Sequence, residues 1–447
     1  MKKKVISYLL AGMAVATLIG CGSSSTPTST SSSTAEKASP ASTESSDAVS
    51  DTEQSSEESS DTTAVADKIT LFQSKVEIAD QLEEAAQSFT DETGIDVEIM
   101  NISGDNQYDT DLVADFSSNN GPTVFSVNPG SGTATYKNYM ADLSDLSIAD
   151  KVPDSLRDEV DGKLVGIPYT VEGIGLMYNK NLYDPSKITN TDELIQFMQE
   201  EKKKNITGVG LSQEDYFLIV HILNTAFAVQ DDPDAFLEQV NKGEVKMADT
   251  KAFQELAQIL DAIRSTSAYN PVEESYDQAI GDFASGQIAT LHQGNWAYPM
   301  FTDYNIDFEM GLAPLPLSGN NKLAVAVPNE WAVNSQASPE EQAAGKKFIE
   351  WLYTSDTGID YLMNKFSFIP VLDGMTNENL DPLSKCVADA VASDNVIGWP
   401  MNRFPKGIQG NYLAPLAQKF FTTDMSADEF LKELDEQWAT AVANIDQ

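Results

Sequence analysis

The stretch Gly166-Ile167-Pro168-Tyr169-Thr170-Val171-Glu172-Gly173-Ile174-Gly175-Leu176-Met177-Tyr178-Asn179-Lys180 decides how this chain is read. Ile167 precedes a proline, which disfavours helix, so the segment starts extended. It ends in an apolar, alternating run with strand character, Ile174 to Tyr178. Between them lies Glu172 next to a glycine, with Tyr169 three residues earlier. Such a segment is too apolar for an ordinary surface loop, yet it carries one charge that is costly to bury unpaired. A strand crossing between two lobes, with Glu172 facing a polar ligand in the cleft, satisfies both facts. The alternative is a core strand behind a turn, with Glu172 on the solvent face.

Composition frames the choice. At 447 residues the chain exceeds what one hydrophobic core usually supports, so two domains are expected. The hydrophobic share of 41% and aromatic share of 9% belong to a globular protein. With Lys+Arg 28 against Asp+Glu 69, the net charge of −41 repels phosphate backbones and argues against nucleic acid as a partner. It argues equally against docking on an anionic lipid surface by charge alone. Two cysteines, Cys21 and Cys386, make no disulfide scaffold. Cys386 lies among Leu383, Val387, Ala390 and Val391 at helical spacing and reads as an inert core thiol.

Residues 1–21 read as a secretory signal: Lys2, Lys3 and Lys4, an apolar run from Val5 to Ile19, then Gly20-Cys21. The run is short for a membrane span. Gly20-Cys21 resembles the lipobox of bacterial lipoproteins, which implies acylation of Cys21 and a lipid anchor. Residues 22–67 are Ser/Thr-rich and acidic, with almost no large apolar side chain. They cannot bury enough surface to offset their ordering entropy, so a disordered tether of roughly 35–40 Å is expected. A long tether on a lipid anchor suits the outer face of a Gram-positive type of cell.

From Lys68 onward, strands near 69–72, 97–99 and 123–127 alternate with helices near 77–93 and 109–117. That rhythm predicts a parallel α/β sheet. The loops after its strands, at Gln73-Ser74 and Asn128-Pro129-Gly130, open at the carboxyl edge, where such sheets bind ligands. After the opening stretch a second set of helices and strands follows, including a strand at 288–292 that runs into Gln293-Gly294-Asn295-Trp296-Ala297. Pro314-Leu315-Pro316 reads as a second crossing and Phe368-Ile369-Pro370 as a third.

No nucleophile elbow, P-loop or Gly-x-Gly-x-x-Gly after a strand is present. His221 and His292 have no partner at metal-ligand or triad spacing. The sequence therefore supports neither catalysis nor a metal or other cofactor. What stands out is a set of aromatics at strand ends and loops: Tyr169, Tyr216, Trp296, Trp331, Trp399 and Tyr412. Aromatic faces stack on the C–H faces of sugar rings while nearby Asn, Gln, Asp and Glu bond the hydroxyls. Trp331, Trp351 and Trp438 fit a core role instead.

These residues resemble a family. The Cys21 lipobox, Ile167-Pro168-Tyr169 with Glu172 and Tyr178-Asn179-Lys180, and Gly294-Asn295-Trp296-Ala297 are similar to motifs of the substrate-binding lipoproteins of carbohydrate ABC transporters, the group resembling maltose-binding protein. The resemblance implies a two-lobed α/β fold of the type II periplasmic-binding-protein kind, its lobes joined by crossing hinge strands. The expected division is 68–168 with 315–370 for the first lobe and 169–314 with 371–447 for the second. It also implies a monomer that traps a sugar, an oligosaccharide by expectation, and hands it to a permease. By position, Glu172 with Tyr169, Glu214 with Tyr216, Asn295 with Trp296, and Trp399 are the expected ligand contacts from the second lobe. Gln73 and Asn128 are those from the first. The chain departs from many relatives at Asn128-Pro129-Gly130-Ser131-Gly132, which leaves the sugar open. Rival readings are a surface-anchored glycoside hydrolase, a structural adhesin, and the same fold binding a polyamine or peptide. Excess carboxylates in the cleft would favour a polyamine; tryptophans with neutral amides would favour sugar.

Overall fold

The computed structural model describes residues 64–102, 105–302 and 304–444. The secretory segment, Cys21 and all but the last four residues of the tether lie outside these residues. Near the start of the described residues the Ala66 N–H donates to the Glu340 carbonyl at 3.1 Å.

Two sheets organise the folded chain. In the first the strand order is Asp96–Asn101, Lys68–Gln73, Val124–Val127, Glu330–Val333, Ile167–Pro168. The first three strands are parallel, and Glu330–Val333 runs against its neighbours. The period of two is visible in the packing. Ile69 and Leu71 enter a core under the helices Ala79–Thr93 and Pro339–Thr354, whereas Phe72 enters a second core under Asp105–Ser117. Both faces are covered, which is why this strand reads as a nearly continuous apolar run. The covering helices begin and end where the sequence dictates. Ser338 and Glu341 form a reciprocal cap with Pro339 at the first position, and Gly94, at φ 76°, closes Ala79–Thr93.

The second sheet is built around Glu172–Asn179. One edge of that strand pairs with Ile288–Gly294, which leads on to Thr207–Gly210. Its other edge pairs first with Leu323–Ala326 and then with Met310–Ala313. A large core on this sheet runs from Leu176 and Leu291 to Phe420 and Trp438. Trp331 and Trp351 lie in a first-lobe core and Trp438 in that of the second lobe, as expected. Cys386 is only half-buried against the second core, with its Sγ donating to the Pro382 carbonyl at 3.2 Å.

The chain first changes sheets between Pro168 and Glu172, but the second and third passages lie elsewhere than at Pro314-Leu315-Pro316 and Phe368-Ile369-Pro370. Val371 and Leu372 still pack in the first-lobe core and the Asp373 N–H donates to the Lys151 carbonyl, so the third passage and the expected boundary at residue 371 come after them. Leu315 and Leu317 are anchored in the second core, and Leu323–Ala326 pairs with Glu172, Gly173 and Ile174. The chain therefore changes sheets at Val327-Pro328-Asn329, and the expected boundary at residue 315 is corrected to this point. Pro328 has no N–H to give to either sheet, so pairing must lapse there. The first two crossings and the segment at Ile369 are bound side by side. The Tyr169 N–H donates to the Asn329 carbonyl at 3.0 Å, and that of Val171 to the Ile369 carbonyl at 3.3 Å. Between them the buried Thr170 hydroxyl accepts the Ile369 N–H at 2.9 Å.

Glu330, the first residue after the second crossing, is fully buried and takes a hydrogen bond from the Thr133 hydroxyl at 3.2 Å. Its carboxyl leaves no room for a side chain at residue 166, where a Cβ would lie 2.0 Å away. Burial, reinforced by the Asp158 carboxylate, pushes Glu330 well above the usual carboxylate range.

Both buried groups have measurable effects on stability. Thr170→Val removes the acceptor of a buried N–H and is expected to lower stability by about 1–3 kcal/mol in urea unfolding. Glu330 keeps a proton in the fold that the unfolded chain releases, so its contribution is complete at acid pH and fades as pH rises through the folded value. Glu330→Gln lacks that loss, and its melting temperature is expected to gain on the parent protein between pH 5 and pH 8.

Candidate functional site

The side chains that meet between the two sheets come from the loop after Lys68–Gln73, the start of Glu172–Asn179, the turn after Ile288–Gly294, and the segments at Tyr216–Val220, Tyr276 and Trp399. The first-lobe loop after Lys68–Gln73 is folded by Gln73. Its Oε1 accepts the Lys75 N–H, and its Nε2 donates to Asn101 and to the Lys75 carbonyl. This fixes Lys75 so that its side chain crosses to the other lobe. Its Nζ lies 2.6 Å from Glu172 Oε1, and both residues are more than nine-tenths buried. Burial works against the ammonium, but Glu172 and Glu77 outweigh it and hold Lys75 above its ordinary pKa. Glu77 is half-buried beside the pair and is pushed upward by burial, with Lys75 opposing the shift.

Trp296 follows the strand Ile288–Gly294 and folds back over Gly294, where a Cβ would meet the indole at 2.1 Å. That requires glycine. The indole N–H donates to Gln293 Oε1 at 3.0 Å, and Lys75 Nζ stands 5.9 Å from the ring centroid. One ammonium thus touches both Glu172 and Trp296, residues more than a hundred positions apart in the chain. This is cation–π geometry with a carboxylate on the same cation.

Around Trp296 lies a wall of aromatic rings. Phe217 is parallel to it at 6.3 Å, and His221 and Trp399 meet it edge-on at 5.4 and 6.4 Å. Tyr276 packs on Phe217 at 4.6 Å, and Tyr216 meets His221 at 5.4 Å. The segment Tyr216–Val220 is one turn of π-helix, a local widening frequently found at functional sites. Several polar atoms of this wall are buried without a hydrogen-bond partner: the Tyr276 hydroxyl, the Trp399 indole N–H, Gln293 Nε2 and Glu214 Oε2. The other oxygen of Glu214 accepts the Tyr276 N–H at 2.9 Å. Native interiors seldom leave such groups unpaired, and a polar ligand is one way to satisfy them. Burial lowers His221 far below its usual pKa and brings His292 down to about 4, so both are neutral.

Among the described residues no His/Cys/Asp/Glu group is arranged to hold a metal ion, and no helix is long and apolar enough to cross a membrane.

A model of the bacterial extracellular solute-binding proteins matches residues 84–391, well over half of the chain. The chain belongs to that family. Similar solved structures agree on the architecture. A chitin oligosaccharide binding protein superposes with a TM-score of 0.71 at 22% identity, over 84% of this chain and 99% of its own. The solute-binding protein RafE in complex with raffinose gives 0.70 at 17% identity, over 84% and 99%. A sugar transporter protein from Bacillus licheniformis in complex with stachyose gives 0.69 at 17%, over 84% and 100%. The fold of this solute-binding protein is thus the two-lobed one.

Of the residues singled out in the sequence, Glu172, Glu214, Tyr216, Trp296 and Trp399 come together in or beside this cluster. Four others are placed differently. Tyr169 is stacked on Trp331 at 3.8 Å inside the first-lobe core, because its position before the crossing still belongs to the first sheet. Asn295 has both ends of its amide in use, accepting the Gly173 N–H at 2.8 Å and donating to Ser384 at 3.1 Å. Gln73 shapes the Lys75 loop rather than facing the cleft. Asn128 is exposed and donates to the Pro328 carbonyl at 2.9 Å, which ties its loop to the second crossing. Lys75, Glu77, Phe217, His221 and Tyr276 were not anticipated. Lys75 had a signal: a cation directly after the opening strand, in the loop already assigned to the ligand edge.

Lys75→Met leaves Glu172 without its counterion, which costs roughly 3–5 kcal/mol if the site stays shut. Parting of the lobes returns Glu172 to water, so opening is the expected response. Solution scattering should show a larger radius of gyration for ligand-free K75M, restored in K75M/E172Q. An unchanged radius in K75M would mean the pair does not hold the lobes together.

Proposed function

We propose that this solute-binding protein captures a sugar, an oligosaccharide by the extent of its aromatic wall, through closure of its two lobes. The observation that carries the reading is the convergence of Glu172 and Trp296 on one point of the cleft, with Phe217, Tyr276 and Trp399 beside them. Rings of this kind accept the C–H faces of pyranoses, and the unpaired Tyr276, Trp399, Gln293 and Glu214 atoms offer hydrogen bonds to hydroxyls. Among the similar structures one is a chitin oligosaccharide binding protein and two are complexes with raffinose and stachyose, which supports a sugar here.

Closure follows from the crossings. Contacts that a ligand makes to both lobes exist only when they are shut, so binding shifts the population toward the closed form. Lys75 and Glu77 from the first lobe and Glu172 from the second are the groups that such a ligand would bridge. On this reading the protein binds without turnover, is held at the outer membrane face by acylated Cys21, and works as a monomer. Release to the permease subunits of an ABC transporter completes the cycle, with ATP hydrolysed in another subunit.

Calorimetric titration with a panel of oligosaccharides tests the reading. Trp296→Ala is expected to weaken the binding of the sugar so found by roughly 2 kcal/mol, about thirtyfold. Unchanged affinity would remove Trp296 from the site, and a panel in which no sugar raises the melting temperature would remove the function.

A further inference from the structure

The cleft holds more acid than its lysine offsets. Lys75 pairs with Glu172 and acts on Glu77, while Glu214 has one oxygen on a backbone N–H and the other buried without a hydrogen-bond partner. The neutral amides that would read hydroxyls are largely occupied. Asn295 and Gln73 bond within the protein at both ends, and Gln293 has given its oxygen to the Trp296 indole.

Two further observations say what suits this place. A primary ammonium already occupies it, that of Lys75, against the Glu172 carboxylate and over the Trp296 ring. Tyr276, 6% exposed, has its hydroxyl beside the Trp296 indole and within the fields of Glu77, Glu172 and Glu214. A ligand ring entering against Trp296 must push Lys75 aside. A neutral ring would then leave Glu172 buried without a countercharge, whereas a cationic ring replaces one ammonium with another.

We propose that the captured sugar carries a protonated primary amine, as an amino sugar does in its un-acetylated form, and that this amine takes the place of the Lys75 ammonium between Glu172 and the Trp296 ring. The proposal rests on the reading of the cleft as a sugar site and names the class of sugar. The aromatic wall stacks the ring and the carboxylates hold its charge, so the acid and the tryptophans serve one ligand.

Calorimetry on the purified protein with glucosamine oligomers, N-acetylglucosamine oligomers of the same length, neutral cello-oligosaccharides and spermidine tests this. The glucosamine oligomers are expected to bind about tenfold tighter than either other sugar, as a charge-assisted bond exceeds a neutral one. That preference is expected to shrink in Glu172→Gln. Acetylated or neutral oligomers that bind as tightly as the amine form would overturn the amine and leave sugar capture standing. Binding of spermidine but of no sugar would overturn both readings.

Discussion

A carboxylate placed at the end of a central strand and closed off from water must find a cation or give up its charge. Glu172 finds one in Lys75, and that ammonium comes from the other lobe. The pair therefore does two things at once. It makes burial of Glu172 tolerable, and it draws the first-lobe loop at residues 73–78 down onto the segment Asn295–Phe301. Ion pairs buried in this way contribute little net stability, since desolvation offsets attraction. Their effect is on arrangement: the two sheet edges meet in one register, with the Trp296 ring under the shared cation.

The crossings make such a pair reversible. Two segments, each containing a proline, pass between the sheets at Pro168 and Pro328, with Phe368-Ile369-Pro370 lying against them, and proline interrupts the ladder without leaving a donor unpaired. Hydrogen bonds from Tyr169, Val171 and Ile369 hold the three together, so the hinge is narrow and ordered. Each lobe carries its own core on either side of it. Motion concentrated at the crossings would leave those cores packed, and only the contacts across the cleft would change.

The wall around Trp296 shows how a binding surface differs from a core. Trp296, Tyr276 and Trp399 are buried and Phe217 and Tyr216 half-buried, and they are accompanied by polar atoms with no protein partner, at Tyr276, Trp399, Gln293 and Glu214. In the first lobe Tyr169 on Trp331 is equally aromatic and equally buried, yet it belongs to the packing of the sheet. Aromatic residues at strand ends are thus ambiguous by type, and so are buried polar atoms without a partner, since the Tyr169 hydroxyl and the Trp331 indole N–H lack one as well. What separates the two groups is the Lys75–Glu172 ion pair that reaches Trp296 from both lobes.

Much of this was legible in the chain. Alternation and helical periodicity placed most elements within a few residues, because those patterns reflect which faces are buried. The glycine before Trp296 and the proline-flanked run to Glu172 marked the second half of the site, since both are local requirements of backbone shape and charge. What local pattern could not carry was the choice of sheet for Leu323–Ala326, because an apolar run fits either one. Pairing with Glu172–Ile174 decided it, and moved the second crossing from residue 315 to Pro328. The same limit applies to Tyr169, Asn295 and Gln73, whose side-chain types suit a ligand but whose partners were set by neighbours far away in sequence. Lys75 meeting Glu172 is the clearest case: ninety-seven residues separate them, and only closure of two independent sheets onto each other brings a cation to that carboxylate.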